Sequence, residues 1–167
     1  MNVRTKSDLI KREYPDIPLI SVGAVVVDGD EILLIKRGYP PSAGSWSIPG
    51  GLVNAGEKLE EAVLRELYEE TNVRGAEPRL IGLTEVLIWS GNVVKYHYVI
   101  ADFLVKPLSR DVVAGGDAID AKFFKISEAL RELKLTLSTK KLIEYIVSVN
   151  ELSKIHTPIL ITINRIE

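Results

Sequence analysis

Two spacings of apolar residues share this chain, and the places where one gives way to the other mark its elements. Residues 21–27 and 31–36 are short apolar runs separated by Asp28-Gly29-Asp30, which predicts two strands joined by a hairpin turn. Residues 79–89 and 93–104 repeat that arrangement around Ser90-Gly91-Asn92. A loop is expected over 112–120 and a short strand over 121–125, while the aliphatic, β-branched tail 158–166 predicts one more strand. Helical spacing predicts helices over 58–71, over 127–132 with Ser127 as cap, and over 138–149. A further short helix is expected over 8–14, ended by Pro15 and Pro18. Strands on both sides of a helix, with helices again near the end, predict an α/β fold built as an α/β/α sandwich around a mixed sheet. No repeat or low-complexity linker interrupts the pattern, so one domain over 1–167 is expected, with its core at about 19–149 and a tail over 150–167.

The helix expected over 58–71 carries the chemistry. Leu59, Ala62, Val63, Leu64 and Leu67 form its apolar stripe, and Glu66, Glu69 and Glu70 fall together at i, i+3 and i+4 on another face. Side chains so spaced stand about 5–6 Å apart at Cβ, where three carboxylates repel one another unless a cation sits among them. Hard divalent cations such as Mg²⁺ take oxygen ligands and are often shared with substrate phosphates. A run of acids is otherwise a solvated helix face. What lifts this one above that reading is its setting: an anchored apolar stripe, a Pro49-Gly50-Gly51 entry that admits close backbone approach, and an Arg65 spaced to pair with Glu57.

The full stretch resembles the signature box of the Nudix hydrolases. That pattern runs Gly, five residues, Glu, seven residues, Arg-Glu, an aliphatic, any residue, Glu-Glu, any residue, Gly, an aliphatic. Gly51, Glu57, Arg65, Glu66, Leu67, Glu69, Glu70 and Val73 fill it in register. Asn72 stands where the family has Gly; a left-handed residue ending the helix is what that position demands, and Asn is the best substitute. A strand before the box and Trp46-Ser47-Ile48-Pro49-Gly50 extend the likeness over roughly 19–149.

The resemblance implies the Nudix sandwich and a divalent metal, Mg²⁺ with Mn²⁺ as the substitute, held by Glu66, Glu69, Glu70 and the carbonyl of Gly50. It also implies a carboxylate general base, with Glu66 or Glu69 the first choice. Asp117 and Asp120 lie where relatives place a late acidic residue near the metals, against the alternative that they only cap loop amides. Arg65 and Glu57 are expected to orient the box, with Glu57 as Arg65's partner rather than a ligand through water. Lys36 and Arg37 close the strand before the loop, and alternation puts them on opposite faces, so one of them is expected to reach a substrate phosphate. Trp46 is a candidate for stacking on a base, against the simpler reading of a core aromatic at a strand end. His97, between Tyr96 and Tyr98, reads as a packed neutral imidazole.

Composition narrows the function. The chain has 167 residues, 46% hydrophobic and 26% charged, with a net charge of -2 and no cysteine. That balance offers no general attraction to nucleic acid or anionic membrane, and thiolate metal sites and disulfides are excluded. The polar stretch 1–11 does not read as a signal peptide, and no apolar run is long enough to span a bilayer, so a cytoplasmic protein is expected. The resemblance to the ADP-ribose pyrophosphatase-like subgroup implies Mg²⁺-dependent cleavage of the pyrophosphate bond in a nucleoside diphosphate linked to another moiety. That subgroup often carries a proline shortly after the box, and Leu87-Ile88-Trp89-Ser90 has none. Hydrolysis of nucleoside triphosphates, oxidised ones included, is therefore the alternative. A non-catalytic nucleotide sensor on the same fold is disfavoured because the box acids are retained. The expected partner is a small nucleotide, with no nucleic acid and no membrane; a homodimer extended through the tail strand stands beside a tail packed on its own chain.

Overall fold

The computed structural model describes residues 11–149 and 152–166. Nine strands, three α-helices and a short 3₁₀ turn make up the described residues: β1 Leu19–Val25, β2 Val27–Asp28, β3 Glu31–Arg37, β4 Trp46–Ser47, β5 Gly50–Leu52, α1 Leu59–Thr71, β6 Gly75–Ser90, β7 Val93–Pro107, β8 Ala118–Lys125, α2 Ile126–Glu132, α3 Leu137–Ser148 and β9 Ile159–Ile166, with the 3₁₀ turn at Leu152–Lys154. One mixed sheet has the order β5-β1-β7-β6-β9, and a second is built from β2, β3 and β4 with β8 on the other edge of β3. In the first, β1 runs parallel to β7 and β9 parallel to β6, while β5 and the long β6–β7 hairpin are antiparallel.

The expected hairpin of residues 21–36 is divided between these sheets. At Val26 the chain leaves the first sheet, so only β2 pairs with β3, in the register Val27↔Ile32 and Asp28↔Glu31. An apolar run reads alike whether it stays in one sheet or crosses to another, which is why the pattern missed the crossing. Other boundaries shift for local reasons. Strand β8 begins at Ala118, since residues 118–120 pair with the end of β3. Helix α2 starts at Ile126 with Lys125 as cap, placing Ser127 inside the helix. Helix α3 starts one residue early because Thr136 caps it, its hydroxyl accepting from the Thr139 N–H. Of the helix expected over 8–14, residues 8–10 lie outside the described set; residues 11–14 are not helical, and Tyr14 (φ 52°) donates its N–H to the Lys95 carbonyl.

Period-two alternation sorts the first sheet's side chains onto two faces. Val22, Ala24, Ala101, Phe103 and Val105 point to one side and pack under Ala62, Val63 and Leu67 of α1. Val25, Ile81, Ile161 and Ile163 point to the other, against Leu142 and Ile146 of α3. Ile32, Leu34, Trp46 and Phe124 of the second sheet meet Ala129 of α2 and Ile143 of α3. The result is an α/β/α sandwich, with α1 on one side and α2 and α3 on the other. Strand β3 is buried on both faces through Ile32, Leu33, Leu34 and Ile35, as a covered central strand requires. Strand β9 fills the outer place beside β6 of its own chain, in register from Gly82↔Ile159 to Trp89↔Ile166.

Candidate active site

Helix α1 presents its acids because its opposite side is fixed. Ala62, Val63 and Leu67 are fully buried, although Leu59, expected on the same stripe, is exposed at the first turn. Asn72 ends the helix in the left-handed conformation (φ 60°), returning its N–H to the Tyr68 carbonyl, as its place in the box demanded. The next carbonyls are taken by the loop after β7: Val113 N–H donates to Thr71 O and Gly115 N–H to Glu70 O. A Cβ on Gly115 would lie 2.6 Å from the Glu69 carbonyl, so only glycine allows this docking. Through it Asp117 arrives beside the acids of α1, and its carbonyl accepts from Gly38 N–H at the end of β3.

Arg65 organises the acidic face. Its Nε donates to Glu57 Oε1 (2.6 Å), its Nη2 to Glu57 Oε2 (2.9 Å) and to the Leu52 carbonyl (3.1 Å), and its Nη1 to Glu66 (2.5 Å) and Glu69 (3.3 Å). The forked guanidinium holds the Glu57 carboxyl down to about 2, with help from the Asn54 N–H. Gly51 has no side chain because a Cβ there would lie 2.5 Å from the Glu66 carboxylate. Gly50 N–H donates to Glu70 Oε2 (2.8 Å). Burial nevertheless pushes the Glu70 carboxyl up to about 8, and the Glu66 charge adds to this. Glu66 is raised for the same first reason, desolvation, which its bond to Arg65 only partly offsets. Glu69 has the more exposed side chain, at 54%.

These carboxylates face a cleft of about 1000 Å³ between the two sheets. Its floor is the α3-side face of the first sheet: Ser21 and Gly23 of β1, Tyr98, Ile100 and Asp102 of β7, Thr84, Val86 and Ile88 of β6, and Ile163 and Arg165 of β9. Ile35, Arg37, Ser47 and Ile48 of the second sheet and the start of α3 form the roof. Arg37 and Asp117 sit near enough to Glu70 to act on its charge, with opposite signs. Arg12, ion-paired with Asp117 at 3.8 Å, joins them at the mouth.

Of the residues singled out in the sequence, the structure gathers Gly50, Arg65, Glu66, Glu69, Glu70, Arg37 and Asp117 around one cleft, with Glu57 directly behind Arg65. It separates four others. Lys36 and Asp120 pair across β3 and β8 and do not line the cleft; Asp120 caps the Ala121 N–H and lies 3.8 Å from Lys122. Trp46 is buried edge-on against Phe124, with ring centroids 4.7 Å apart, so it belongs to the core. His97 lies beside Glu85 on the strand face turned away from the cleft. Arg12, Tyr98, Thr84, Asp102 and Ser47 were not foreseen. For Asp102 a signal existed, a lone acid inside the apolar run 99–105; for Arg12 none did, since only the fold carries residues 11–14 across the cleft.

Among the described residues no three Asp, Glu, His or Cys side chains stand in a ready-made chelating cluster. The guanidinium of Arg65 and the Gly50 N–H take the carboxylates that would turn toward an ion. The donor set still fits a hard divalent cation: oxygen ligands only, with a buried Glu70 whose carboxyl feels the charges of Glu66 and Asp117.

Fold and site together define an α/β sandwich of hydrolase type whose acidic helix guards a nucleotide-sized cleft. A NUDIX domain family model matches residues 18–146, and the chain belongs to the Nudix hydrolase family. An ADP-ribose pyrophosphatase of Methanocaldococcus jannaschii is 34% identical over 122 residues, which cover 73% of this chain and 70% of that protein. A NAD-capped RNA hydrolase, NudC, of Haemophilus influenzae is 31% identical over 127 residues, but the chain spans only 46% of its length. Among solved structures, a MutT NUDIX hydrolase from Burkholderia pseudomallei superposes with a TM-score of 0.69 at 27% identity, covering 77% of this chain and 98% of that one. Members of the family generally use a divalent metal. Among the described residues no helix is long and apolar enough to cross a membrane.

Proposed function

We propose that this protein hydrolyses the pyrophosphate bond of ADP-ribose, or of a closely similar nucleoside diphosphate joined to a second moiety, with Mg²⁺ as the metal. One observation carries the reading: the acids of α1 line one end of a cleft of about 1000 Å³ whose remainder is largely apolar. A diphosphate bridge seated at Glu66, Glu69, Glu70 and Arg37 leaves that chamber for one of the two organic ends. The likeness to an archaeal ADP-ribose pyrophosphatase over most of both chains supports this substrate over a triphosphate.

Glu66, Glu69, Glu70 and the Gly50 carbonyl would hold the metal. When bound, it would supply charge neutralisation along the diphosphate and a Lewis acid at the attacked phosphorus. Arg37 binds a phosphate oxygen from the opposite wall. Arg65 keeps the carboxylates in register, and Glu57 keeps Arg65 in place. Glu69, the most exposed of the three acids, takes a proton from the attacking water. Water adds to one phosphorus, the bond from that phosphorus to the bridging oxygen breaks, and the oxygen leaves with the second phosphate. ADP-ribose would thus give AMP and ribose 5-phosphate. Purified protein incubated with Mg²⁺ and separately with ADP-ribose, diadenosine polyphosphates and nucleoside triphosphates tests this, with products identified. AMP plus ribose 5-phosphate as the preferred outcome supports the assignment; rapid release of pyrophosphate from triphosphates, with ADP-ribose untouched, overturns it.

A further inference from the structure

The inner chamber holds one acidic side chain that the hydrolysis does not use. Asp102 lies in the middle of β7, beside Gly23 of β1, and is 2% exposed. Its Oδ2 accepts a hydrogen bond from the Thr84 hydroxyl at 2.6 Å. No described residue donates to its Oδ1. Gly23 leaves the space that Oδ1 occupies: a Cβ at that position would lie 2.7 Å from Oδ1 and 2.7 Å from the Ile48 Cδ1. A second polar group lines the same cleft. The Ser47 hydroxyl is buried and has no hydrogen-bond partner. Ile48, Val86, Ile88, Ile100, Leu142 and Ile163 line the same cleft. Leaving a buried hydroxyl unmatched is unfavourable, and native structures rarely do so without a reason; the unused Asp102 acceptor is part of the cleft lining.

We infer that Asp102, supported by Thr84 and Ser47, forms a subsite that accepts the N–H-bearing edge of a purine base, making Asp102 a specificity-determining residue of the cleft. The inference rests on the ADP-ribose reading above for the position of the diphosphate, and it adds which end of the substrate enters the chamber. The surroundings select the base. A flat heterocycle buries two apolar faces against the isoleucine and valine side chains and asks for partners only along its edge. A ribose carries hydroxyls in several directions and has no flat face to lay on those hydrocarbon side chains. Burial also pushes the Asp102 carboxyl up to about 7, so near neutral pH much of it is uncharged and meets a neutral base without leaving a full charge in the chamber.

The test uses the two halves of the substrate as product ligands, titrated by calorimetry in chelator so that nothing turns over. Wild-type protein should bind AMP about 10-fold more tightly than purine riboside 5′-monophosphate, which lacks only the exocyclic amine; one neutral hydrogen bond to a buried acceptor is worth about that factor. In Asp102→Ala that preference should vanish, and AMP affinity should fall about 10-fold while ribose 5-phosphate affinity is unchanged. Equal affinity of the wild type for the two purine nucleotides overturns the subsite, and this comparison stands even if the alanine variant does not fold. An alanine variant that keeps the preference, or that loses ribose 5-phosphate as strongly as AMP, overturns it too. Separate assays of ADP-ribose turnover keep the two readings apart: hydrolysis without base preference would remove the subsite and leave the enzyme assignment in place.

Discussion

Arg65 grips both oxygens of Glu57 at once, through Nε at 2.6 Å and Nη2 at 2.9 Å, and keeps Nη1 for Glu66. No other basic side chain has that planar fork, so Arg65→Lys must give up part of the set. Its loss should cost about 1–3 kcal/mol through the charged hydrogen bonds it makes. A lower melting temperature together with at least a 10-fold drop in kcat is expected from parallel thermal melts and steady-state kinetics. An Arg65→Lys enzyme with wild-type turnover would show that the grip is not needed for hydrolysis.

Glu70→Gln and Glu69→Gln separate charge from shape. Each should fold and lose at least 100-fold in Mg²⁺-dependent turnover. Glutamine at position 70 can still accept from the Gly50 N–H, and it removes a carboxylate that burial holds at about 8. Without metal, Glu70→Gln should therefore melt at or above the wild-type temperature at pH 8. With saturating Mg²⁺ the order should reverse, because only the wild type gains the full binding free energy of the ion. Differential scanning calorimetry with chelator and with Mg²⁺ reads both arms, and a Glu70→Gln protein that Mg²⁺ stabilises as much as wild type would remove Glu70 from the ligand set.

Asp102 gives a pH dependence with a definite sign. Its folded carboxyl lies near 7, above the ordinary 3.8, because burial favours the neutral acid. The folded chain thus binds the proton more tightly than the unfolded one. This contribution to stability is complete below about pH 4 and is lost as pH rises through 7. Asp102→Asn keeps the shape and an acceptor for Thr84 but cannot ionise. Melting temperatures taken from pH 5 to 9 in chelator should show the variant gaining on wild type by several degrees across that range. A constant difference would mean that Asp102 ionises without penalty.

Strand β9 contributes Ile161 and Ile163 to the core beneath α3 and Arg165 to the cleft floor. Arg79 adds a second tie, donating to the Leu152 and Ile155 carbonyls just before the strand. A chain ending at residue 157 should lose those contacts and bare the outer edge of β6. Strongly reduced melting temperature and aggregation on light scattering are expected; a truncated protein as stable as the full chain would make the tail an ornament.

Much of this was legible before any coordinates. The helix with Glu66, Glu69 and Glu70, its pairing of Arg65 with Glu57, the left-handed Asn72 and the tail strand all follow from local spacing or local backbone demand. What escaped is non-local. The step between sheets at Val26 leaves no mark, because both sheets ask for the same apolar residues there. Lys36 looked like a phosphate contact, and Trp46 kept a stacking role beside its simpler core reading, only while their neighbours Asp120 and Phe124, far along the chain, were out of view. Asp102 carried its signal in plain sight, but its meaning depends on Thr84 and Gly23 from two other strands.

That step at Val26 has a consequence for how such a protein can change. The acidic helix α1 is anchored to one slab of the molecule, while Arg37, Ser47 and Ile48 hang from the other. Substitutions on the hanging slab can resize the gap or exchange its polar groups without disturbing the acids opposite. New appetites for substrate can therefore arise with the bond-cleaving apparatus left as it stands.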